Sequence, residues 1–196
     1  MHMFLRHSFI GAALAASTIA VHAADATPAV RPLVGFGLTF GGDTLATVQF
    51  SDGTTDSIKA GGLAHLYAGA EFKVGTEMAI QATVGYHVDD TRSSSNGSLR
   101  FSRYPVDLIA LYSVNDRVRL GAGAQIVSSA KLAGSGVASA VAVDFQSSTG
   151  ALVEAEYLFT PNLGAKARFV SHTYKPKGTG LSVDGNHFGL MLGYYF

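Results

Sequence analysis

The sequence predicts an all-β fold, a closed eight-stranded antiparallel up-and-down barrel that spans a membrane after a cleaved signal peptide. Three observations predict it: eight segments alternate between apolar and small or polar residues, aromatic residues lie at both ends of the apolar rows, and several connections are short while others are long. Side chains of a strand point alternately to two faces, so a period of two residues indicates β-strands.

The amino-terminal segment is predicted to be a signal peptide. Arg6 precedes an apolar run from Phe9 to Val21, and the small-x-small motif that ends at Ala23 resembles a cleavage site. The run is shorter than the roughly 20 residues that a membrane-spanning helix needs. We therefore expect residues 1–23 to be removed, residues 24–32 to form a short N-terminal segment and residues 33–196 to form the barrel domain.

Charge and composition exclude some functions. Of the 14 Lys and Arg residues only Arg6 lies in the predicted signal peptide, so the remaining chain has 13 against 14 Asp and Glu, a formal charge of −1. Such a balance does not favour a nucleic-acid partner. The absence of cysteine agrees with export to an oxidising compartment. No cofactor motif is present, and we expect no cofactor.

The alternating segments define two faces. In each segment one row is apolar, and the other row holds Gly, Thr, Gln, His and nearly all the charges. Only Ser171 interrupts the apolar rows with a hydroxyl, whereas a Lys or Arg there would cost about 2 to 4 kcal/mol near the bilayer midplane. The apolar rows should therefore face lipid. The predicted strands are Leu33–Phe40, Ala64–Phe72, Glu77–Tyr86, Arg103–Tyr112, Arg117–Ile126, Ala151–Phe159, Leu163–His172 and Phe188–Phe196.

The positions of the aromatic residues distinguish a membrane barrel from a water-soluble sandwich, which would also have one apolar face. Along the apolar rows they fall into two groups, one at each end of the strands: Phe40, Tyr86, Tyr104, Phe169 and Phe188, and then Phe72, Tyr112, Phe159, Tyr194 and Phe196. Two aromatic girdles of this kind are typical of a lipid-facing band.

The connections predict which strand ends meet. Three short links, at residues 74–76, 114–116 and 160–162, would lie at one end of the barrel and set Phe72 opposite Met78 and Phe159 opposite Leu163. Two of the long connections have hairpin tips, Asp52-Gly53 and Asn96-Gly97.

A two-residue turn at either tip would set apolar positions opposite polar ones. Each of these two long hairpins, or ribbons, must therefore contain one extra residue in the form of a β-bulge. The candidate bulge positions are Gly41-Gly42 or Gly61-Gly62 on the first ribbon, and Pro105 or Asp89-Asp90 on the second.

The last predicted strand carries a resemblance to a known family. Its apolar row is Phe188, Leu190, Leu192, Tyr194 and Phe196, and its other row is rich in glycine. This strand resembles the final strand of bacterial outer-membrane β-barrels, which the barrel assembly machinery reads as its signal. The chain after the signal peptide is similar to the small eight-stranded barrels of this family, the membrane domain of outer membrane protein A and the OmpX type.

The resemblance implies export to the outer membrane, a monomer, and contacts with outer membrane lipid, lipopolysaccharide and the assembly machinery. The chain stops at Phe196, so we do not expect the cell-wall-binding domain of outer membrane protein A. The family includes ion-conducting, adhesive, structural and lipid-modifying members, and the fold does not choose among them.

The interior row is the first candidate functional site. Charges of both signs in a narrow barrel are tolerated only when paired, and the link at 160–162 would set Glu156 opposite Lys166 and Glu154 opposite Arg168. Structural ion pairs are the favoured interpretation, and a gated ion path is the alternative. The five acids are Glu71, Glu77, Asp107, Glu154 and Glu156, and the five bases are Arg103, Arg117, Arg119, Lys166 and Arg168.

Four histidines form a second candidate site near the long-loop end of the barrel. His65 and His87 should lie almost opposite each other, and so should His172 and His187. Closure of the barrel would bring all four onto one arc of the rim. Imidazole pairs could hold Zn²⁺ or Cu²⁺, but hydrogen bonding to loop backbone is the commoner role, and we expect no metal.

Catalytic candidates are few. Ser171-His172 and the group Ser182, Asp184 and His187 are the serine and histidine neighbourhoods, and neither matches the His-x-Ser order of outer-membrane lipid A deacylases. We therefore expect a non-enzymatic protein.

The loops add two features. Val141, Val143 and Phe145 continue the apolar parity of the following strand, and Lys175 and Lys177 could meet lipopolysaccharide phosphates. The sequence thus favours a non-enzymatic outer-membrane protein with an envelope-structural and surface-interaction role. The alternatives are a narrow ion or small-solute channel and a lipid A-modifying enzyme.

Overall fold

The computed structural model describes residues 29–49, 53–91 and 97–196, so the predicted signal peptide lies outside the described residues. In this part of the chain, no helix is long and apolar enough to cross a membrane. The strands are β1 Val30–Gly41, β2 Thr44–Gln49, β3 Thr55–Lys59, β4 Leu63–Val74, β5 Met78–Asp90, β6 Gly97–Ser113, β7 Val118–Gly136, β8 Ala142–Asp144, β9 Ser148–Thr160, β10 Leu163–Ser171, β11 Thr173–Tyr174, β12 Val183–Asp184 and β13 His187–Tyr195.

Eight of these strands, all within the described residues, close into an antiparallel barrel in the order β1, β4, β5, β6, β7, β9, β10, β13. Closure is made by β1, which pairs with β13 on one side and with β4 on the other. The predicted fold class is confirmed. The first strand begins at Val30 rather than at Leu33, which places Arg31 in the barrel wall.

The apolar rows cover the outside of the barrel. Phe36 and Leu190 leave 57% and 56% of their surfaces exposed, a degree of apolar exposure that only a lipid environment makes favourable. Phe40, Phe188 and Phe169 are direct register partners across three strands, so they form one band at the long-loop end. The aromatic residues predicted at the short-turn end are also exposed, so both predicted girdles lie on the outer surface: Phe72, Tyr112, Phe159, Tyr194 and Phe196.

The short turns keep the predicted faces, but the register differs in detail at two of them. Val74 lies opposite Met78, so the prediction of Phe72 opposite Met78 is wrong by two residues. Thr160 rather than Phe159 lies opposite Leu163, because the register shifts between Leu163 and Gly164. A shift of two residues, or of one residue at the turn itself, leaves the lipid-facing row intact.

Beyond the girdle at the long-loop end, the strands continue as a region of ribbons. β2 and β3 form one hairpin, β8 adds to the end of β7, and β11 pairs with β12. An extra residue lies at the predicted Gly41-Gly42 position, because Thr44 is five positions after Thr39 whereas their partners Lys59 and Leu63 are four positions apart. A second register shift lies between Thr44 and Ala46, so this ribbon contains two extra residues rather than the predicted one. Gly41 and Gly42 have φ of 126° and 77°, which glycine adopts without steric cost.

The second predicted bulge is wrong. β5 and β6 keep one register from Met78 opposite Tyr112 to Asp90 opposite Arg100, with no shift at Pro105 or at Asp89-Asp90. Asn96, like Asp52 of the first tip, lies outside the described residues. The shift falls instead between β6 and β7, next to Ser129, whose φ is 55°.

Candidate functional site in the barrel interior

Glycines on the inward row make room for large side chains. A Cβ atom at Gly35 would lie 2.2 Å from the Tyr67 ring, and one at Gly164 would lie 2.6 Å from a carboxylate oxygen of Glu156. An eight-stranded barrel has an interior about wide enough for side chains to fill it. The glycines therefore allow long charged and aromatic side chains to cross the interior.

The lower half of the interior, nearer the short turns, is filled by connected ion pairs. Glu71 binds Arg31 and Arg119 at 2.7 Å each. Arg119 Nε donates to Glu156 Oε2 at 2.9 Å, and the Tyr195 hydroxyl donates to Glu156 Oε1 at 2.6 Å. Each ion pair in this part joins residues of two different strands.

The same network continues toward the barrel centre. Glu154 accepts from Lys166 at 3.1 Å and from Arg168 Nη2 at 2.7 Å. Arg168 Nη1 also binds Asp107 at 2.6 Å, and Gln125 donates to the other oxygen of Asp107 at 3.0 Å. We call this network the ionic ladder; its members are Arg31, Glu71, Gln81, Asp107, Arg119, Gln125, Glu154, Glu156, Lys166, Arg168 and Tyr195.

The ladder contains four acids and four bases, so its formal charge is zero. Gln81 joins its two parts, because it accepts from Lys166 at 2.8 Å and donates to the Tyr195 hydroxyl at 3.3 Å. Nearly all the polar atoms are paired, which is what burial of charges in a narrow interior requires.

The observed ion pairs differ from several of the predicted ones. Glu156 lies directly opposite Lys166, but Lys166 binds Glu154 and Gln81, whereas Glu156 binds Arg119 and Tyr195. Glu77 and Arg117 are exposed at the short-turn end and do not belong to the ladder.

Arg103, a third predicted member of the interior pairs, lies above the ladder and forms no ion pair within the described residues.

Sequence reasoning missed several interior residues. Arg31 was placed before the first strand, and the uncharged members Gln81, Gln125 and Tyr195 were not singled out. Their inward parity, shared with the charged residues of the same strands, could have identified them. The interior also has an apolar wall of buried residues that the charge pattern did not indicate: Ala79, Ile109, Leu111, Leu152 and Val170.

A histidine layer lies above the ladder. His65 and His87 are direct register partners, and their rings stack with centroids 4.9 Å apart. His187 meets His87 edge-on at 5.3 Å, and all three side chains are buried. His172 is also buried, and its ring packs against that of Tyr174 with a centroid distance of 4.6 Å. Three of the four predicted rim histidines thus gather in one layer.

Arg103 belongs to this histidine layer. Its Nε and Nη2 lie 3.2 and 2.9 Å from the two ring nitrogens of His87, and Nη2 also donates to the Gly62 carbonyl at 2.9 Å. Thr39 contacts the same imidazole through its hydroxyl, 2.6 Å from Nε2. No group of three or more His, Cys, Asp or Glu residues among the described positions is arranged to hold a metal ion.

An extracellular apolar cluster closes the top of the barrel. Phe101, Phe145 and Tyr174 pack edge to face, with centroid distances of 5.3 to 6.2 Å. Burial raises the pKa of Tyr174, so its hydroxyl stays protonated. The buried members of the cluster are Ile58, Ala60, Leu99, Phe101, Val127, Ala130, Leu132, Phe145 and Tyr174.

The two serine and histidine neighbourhoods that the sequence offered as catalytic candidates do not assemble into a catalytic arrangement. Ser171 points outward while His172 points inward. The Asp184 carboxylate accepts from Asn186, and His187 Nδ1 is bound to the Gly185 carbonyl.

The structure instead brings Ser148 to His172, a pair that the sequence did not suggest. The other ring nitrogen, Nδ1, has no partner within the described residues, so no acid orients this imidazole as a general base requires.

A vestibule of about 690 Å³ opens at the short-turn end. Arg31, Glu71 and Arg119 line it together with the exposed Lys73 and Arg117. It ends at the lowest members of the ionic ladder, so the interior is open to solvent from this side and filled above it.

Solved structures of other proteins share this fold. Ail of Yersinia pestis matches with a TM-score of 0.54 and 14% identity over 85% of this chain and 97% of that one. Neisserial surface protein A matches with a TM-score of 0.52 and 12% identity over 86% and 98%. No curated protein sequence gives a significant match. The model of the outer membrane protein β-barrel domain family matches residues 11–196, so the chain belongs to this family and resides in the outer membrane.

Proposed function

We propose that the protein is a closed, non-enzymatic outer-membrane barrel with an envelope-structural role that presents its extracellular ribbons for surface interaction. The observation that carries the proposal is that two groups of side chains fill the interior: the ionic ladder below and the extracellular apolar cluster above. A continuous water path would require both to open. The ribbons above the outer girdle are the part of the chain exposed to the surroundings of the cell.

Conductance of the refolded protein in planar bilayers tests the closed barrel. We expect little steady conductance from the wild type, and we expect Glu156→Ala and Lys166→Ala to raise it because each opens a gap in the ladder. Arg117→Ala, an exposed arginine at the short-turn end, is the matched control and should change nothing. Large and stable channels formed by the wild type would favour a narrow ion or solute channel, for which the vestibule would be the inner mouth.

The absence of enzymatic activity is part of the proposal. The unassisted Ser148–His172 pair supports it, because the imidazole lacks an acid partner. Mass spectra of lipid A from cells with and without the protein provide the test. Identical spectra are expected, and loss or gain of an acyl chain would contradict the proposal.

Lipopolysaccharide is the proposed lipid partner. Lys131, Lys175 and Lys177 are exposed on the outside of the ribbons, and none makes an ion pair within the described residues. Asp144 lies between two of them, opposite Lys131 and bonded through its carbonyl to the Lys177 amide at 2.8 Å. The patch therefore has a net positive charge that suits phosphates of the outer leaflet.

A binding comparison tests this partner. Replacing the three lysines by glutamine should weaken retention of lipopolysaccharide by the purified protein, whereas Lys73→Gln at the opposite end should not. Equal retention by both variants would contradict the proposal.

We also propose that the last strand is the signal for the barrel assembly machinery, through Phe188, Leu190, Leu192, Tyr194 and Phe196. Deletion of Phe196 or Phe196→Asp should lower the amount of protein in the outer membrane far more than Gly189→Ala. Normal membrane levels of both Phe196 variants would exclude this role.

A further inference from the structure

Arg103 differs from the other buried bases of the interior. It is completely buried, yet no carboxylate of the described residues lies within ion-pair distance, whereas Arg119, Lys166 and Arg168 all have such partners. Its guanidinium lies over the Phe101 ring at 4.8 Å, and Nη1 has no hydrogen-bond partner in the described part of the chain. Asp89 acts on its charge only from beyond ion-pair distance, and a buried cation without a direct counter-ion is strongly unfavourable.

Three more buried polar atoms in and just above this layer have no hydrogen-bond partner within the described residues. They are Nε2 of His65, Nε2 of His187 and the hydroxyl of Tyr174, which approaches the Arg103 guanidinium without reaching the geometry of a hydrogen bond. His65 and His187 both contact the His87 ring on which Arg103 lies, and the Tyr174 ring centroid is 5.9 Å from the guanidinium carbon. Buried polar atoms are usually satisfied by protein, water or a bound ion, so four such atoms around one cation indicate a missing partner.

The charges around the layer determine the sign of that partner. Asp107 is occupied by Arg168 and Gln125, and the Asp89 carboxylate accepts the Lys59 amide at 2.7 Å. A divalent cation would be repelled by Arg103, which argues against metal binding by these histidines. An anion would compensate the guanidinium and accept hydrogen bonds from the neighbouring donors.

We propose that the histidine layer binds one small anion of the size of a halide, held by Arg103 Nη1, by the Tyr174 hydroxyl and by Nε2 of His65 and His187. The ion lies between the ionic ladder and the extracellular apolar cluster. It supplies the direct counter-ion that Arg103 lacks within the described residues.

Binding of the anion takes up a proton at His187. Nδ1 of His187 lies 2.8 Å from the Gly185 carbonyl, and a carbonyl can only accept, so the proton of the neutral ring is on Nδ1 and Nε2 has none. An anion at Nε2 requires a proton there. The groups that face His187 are Arg103 on β6, Arg168 on β10, His65 on β4, His87 on β5 and His172, all of them bases. Proton and anion therefore enter together.

Thermal unfolding of the refolded protein in a non-ionic detergent tests the proposal. Sodium chloride and sodium gluconate are compared at equal ionic strength, at about pH 5 and about pH 8. At tenfold its dissociation constant, chloride should raise the midpoint by roughly 3 to 6 °C relative to gluconate. The difference should be larger at the lower pH. Arg103→Gln should abolish it, and Arg100→Gln, an exposed arginine of the same strand, should retain it.

A crystal grown in bromide keeps the proposal testable if Arg103→Gln does not fold. An anomalous peak within about 3.5 Å of Arg103 Nη1 is the expected result. Equal midpoints in the two salts, or no such peak, would show that water fills the layer and would overturn the proposal.

Discussion

The lower and upper halves of the interior are filled by opposite chemistry. The ionic ladder consists of charged and amide side chains and the Tyr195 phenol, all held by directional bonds. The extracellular apolar cluster consists of aliphatic and aromatic side chains without a single ion pair within the described residues. A directional network tolerates no missing member, because each loss leaves a buried partner unsatisfied. An apolar cluster depends on volume and can partly relax around a smaller side chain.

The difference follows from what lies outside each half. Around the ladder the outward row faces lipid, so the inward row alone carries the polar residues. Above the girdle the outside is water, so the apolar residues turn inward as they do in a soluble protein. The same strands, β6 and β7, take part in both arrangements.

Loss of one ladder member should have the largest effect. Arg168→Ala leaves Glu154 and Asp107 buried with fewer partners and should lower the free energy of unfolding by about 3 to 5 kcal/mol. Glu154→Ala should also destabilise, and the double variant should lose less than the sum of the two. Urea unfolding in lipid vesicles measures all three values. Strictly additive losses would show that the pair is not coupled.

Truncation of a side chain in the apolar cluster should lower the free energy of unfolding slightly less than loss of a ladder member does. Its effect should be confined to the surroundings of the cluster. Phe101→Ala removes a fully buried ring and should lower the free energy of unfolding by about 3 kcal/mol. Amide exchange should accelerate at Leu99 and Leu132 but not at Gln81 in the ladder. Uniform acceleration along β5, β6 and β7 would mean that the two halves unfold together.

A single hydroxyl should have an intermediate effect. Tyr195→Phe removes the group that links Glu156, Arg119 and Gln81 and should cost about 1 to 2 kcal/mol. Tyr194→Phe, the lipid-facing neighbour, is the matched control and should cost clearly less. Equal losses in unfolding free energy for the two variants would place the role of Tyr195 in its ring rather than in its hydroxyl.

An exposed ion pair should matter least. Arg100 binds Asp90 at 2.6 Å on the outside of the ribbon, where 58% of the arginine side chain is exposed. Arg100→Gln should change the free energy of unfolding by less than about 1 kcal/mol, and raised salt should remove even this change. A loss comparable to that of Arg168→Ala would contradict the distinction between buried and exposed pairs.

The sequence predicted the barrel well because the two-residue period fixes both faces of each strand. The pairing of Tyr157 with Ala165 and of Val153 with Phe169 on β9 and β10 is confirmed. The partners of Lys166 were not predictable in this way, because they depend on which side chains meet across the curved interior. Gln81, which accepts from Lys166, comes from β5, which is not adjacent to β10.

The extracellular cluster was not predictable from the same pattern. Val141, Val143 and Phe145 continue the parity of the lipid-facing row, yet Phe145 is buried in the cluster and the two valines pack against it. Parity assigns a face only while a strand stays in the barrel register. Phe145 instead meets Pro176 through an isolated bridge, outside the regular ladder of the wall.

The irregularity at Ser129 separates two registers within one strand. Below it the even-numbered residues of β7 point outward, as Ile126 does, and above it the even-numbered residue Leu132 points inward. The register of the membrane part of β7 therefore does not depend on how many residues lie above this point. Residues can be inserted into, or exchanged within, the exposed part of the ribbon without turning a polar side chain into the lipid, so the outer surface can diversify while the transmembrane wall is preserved.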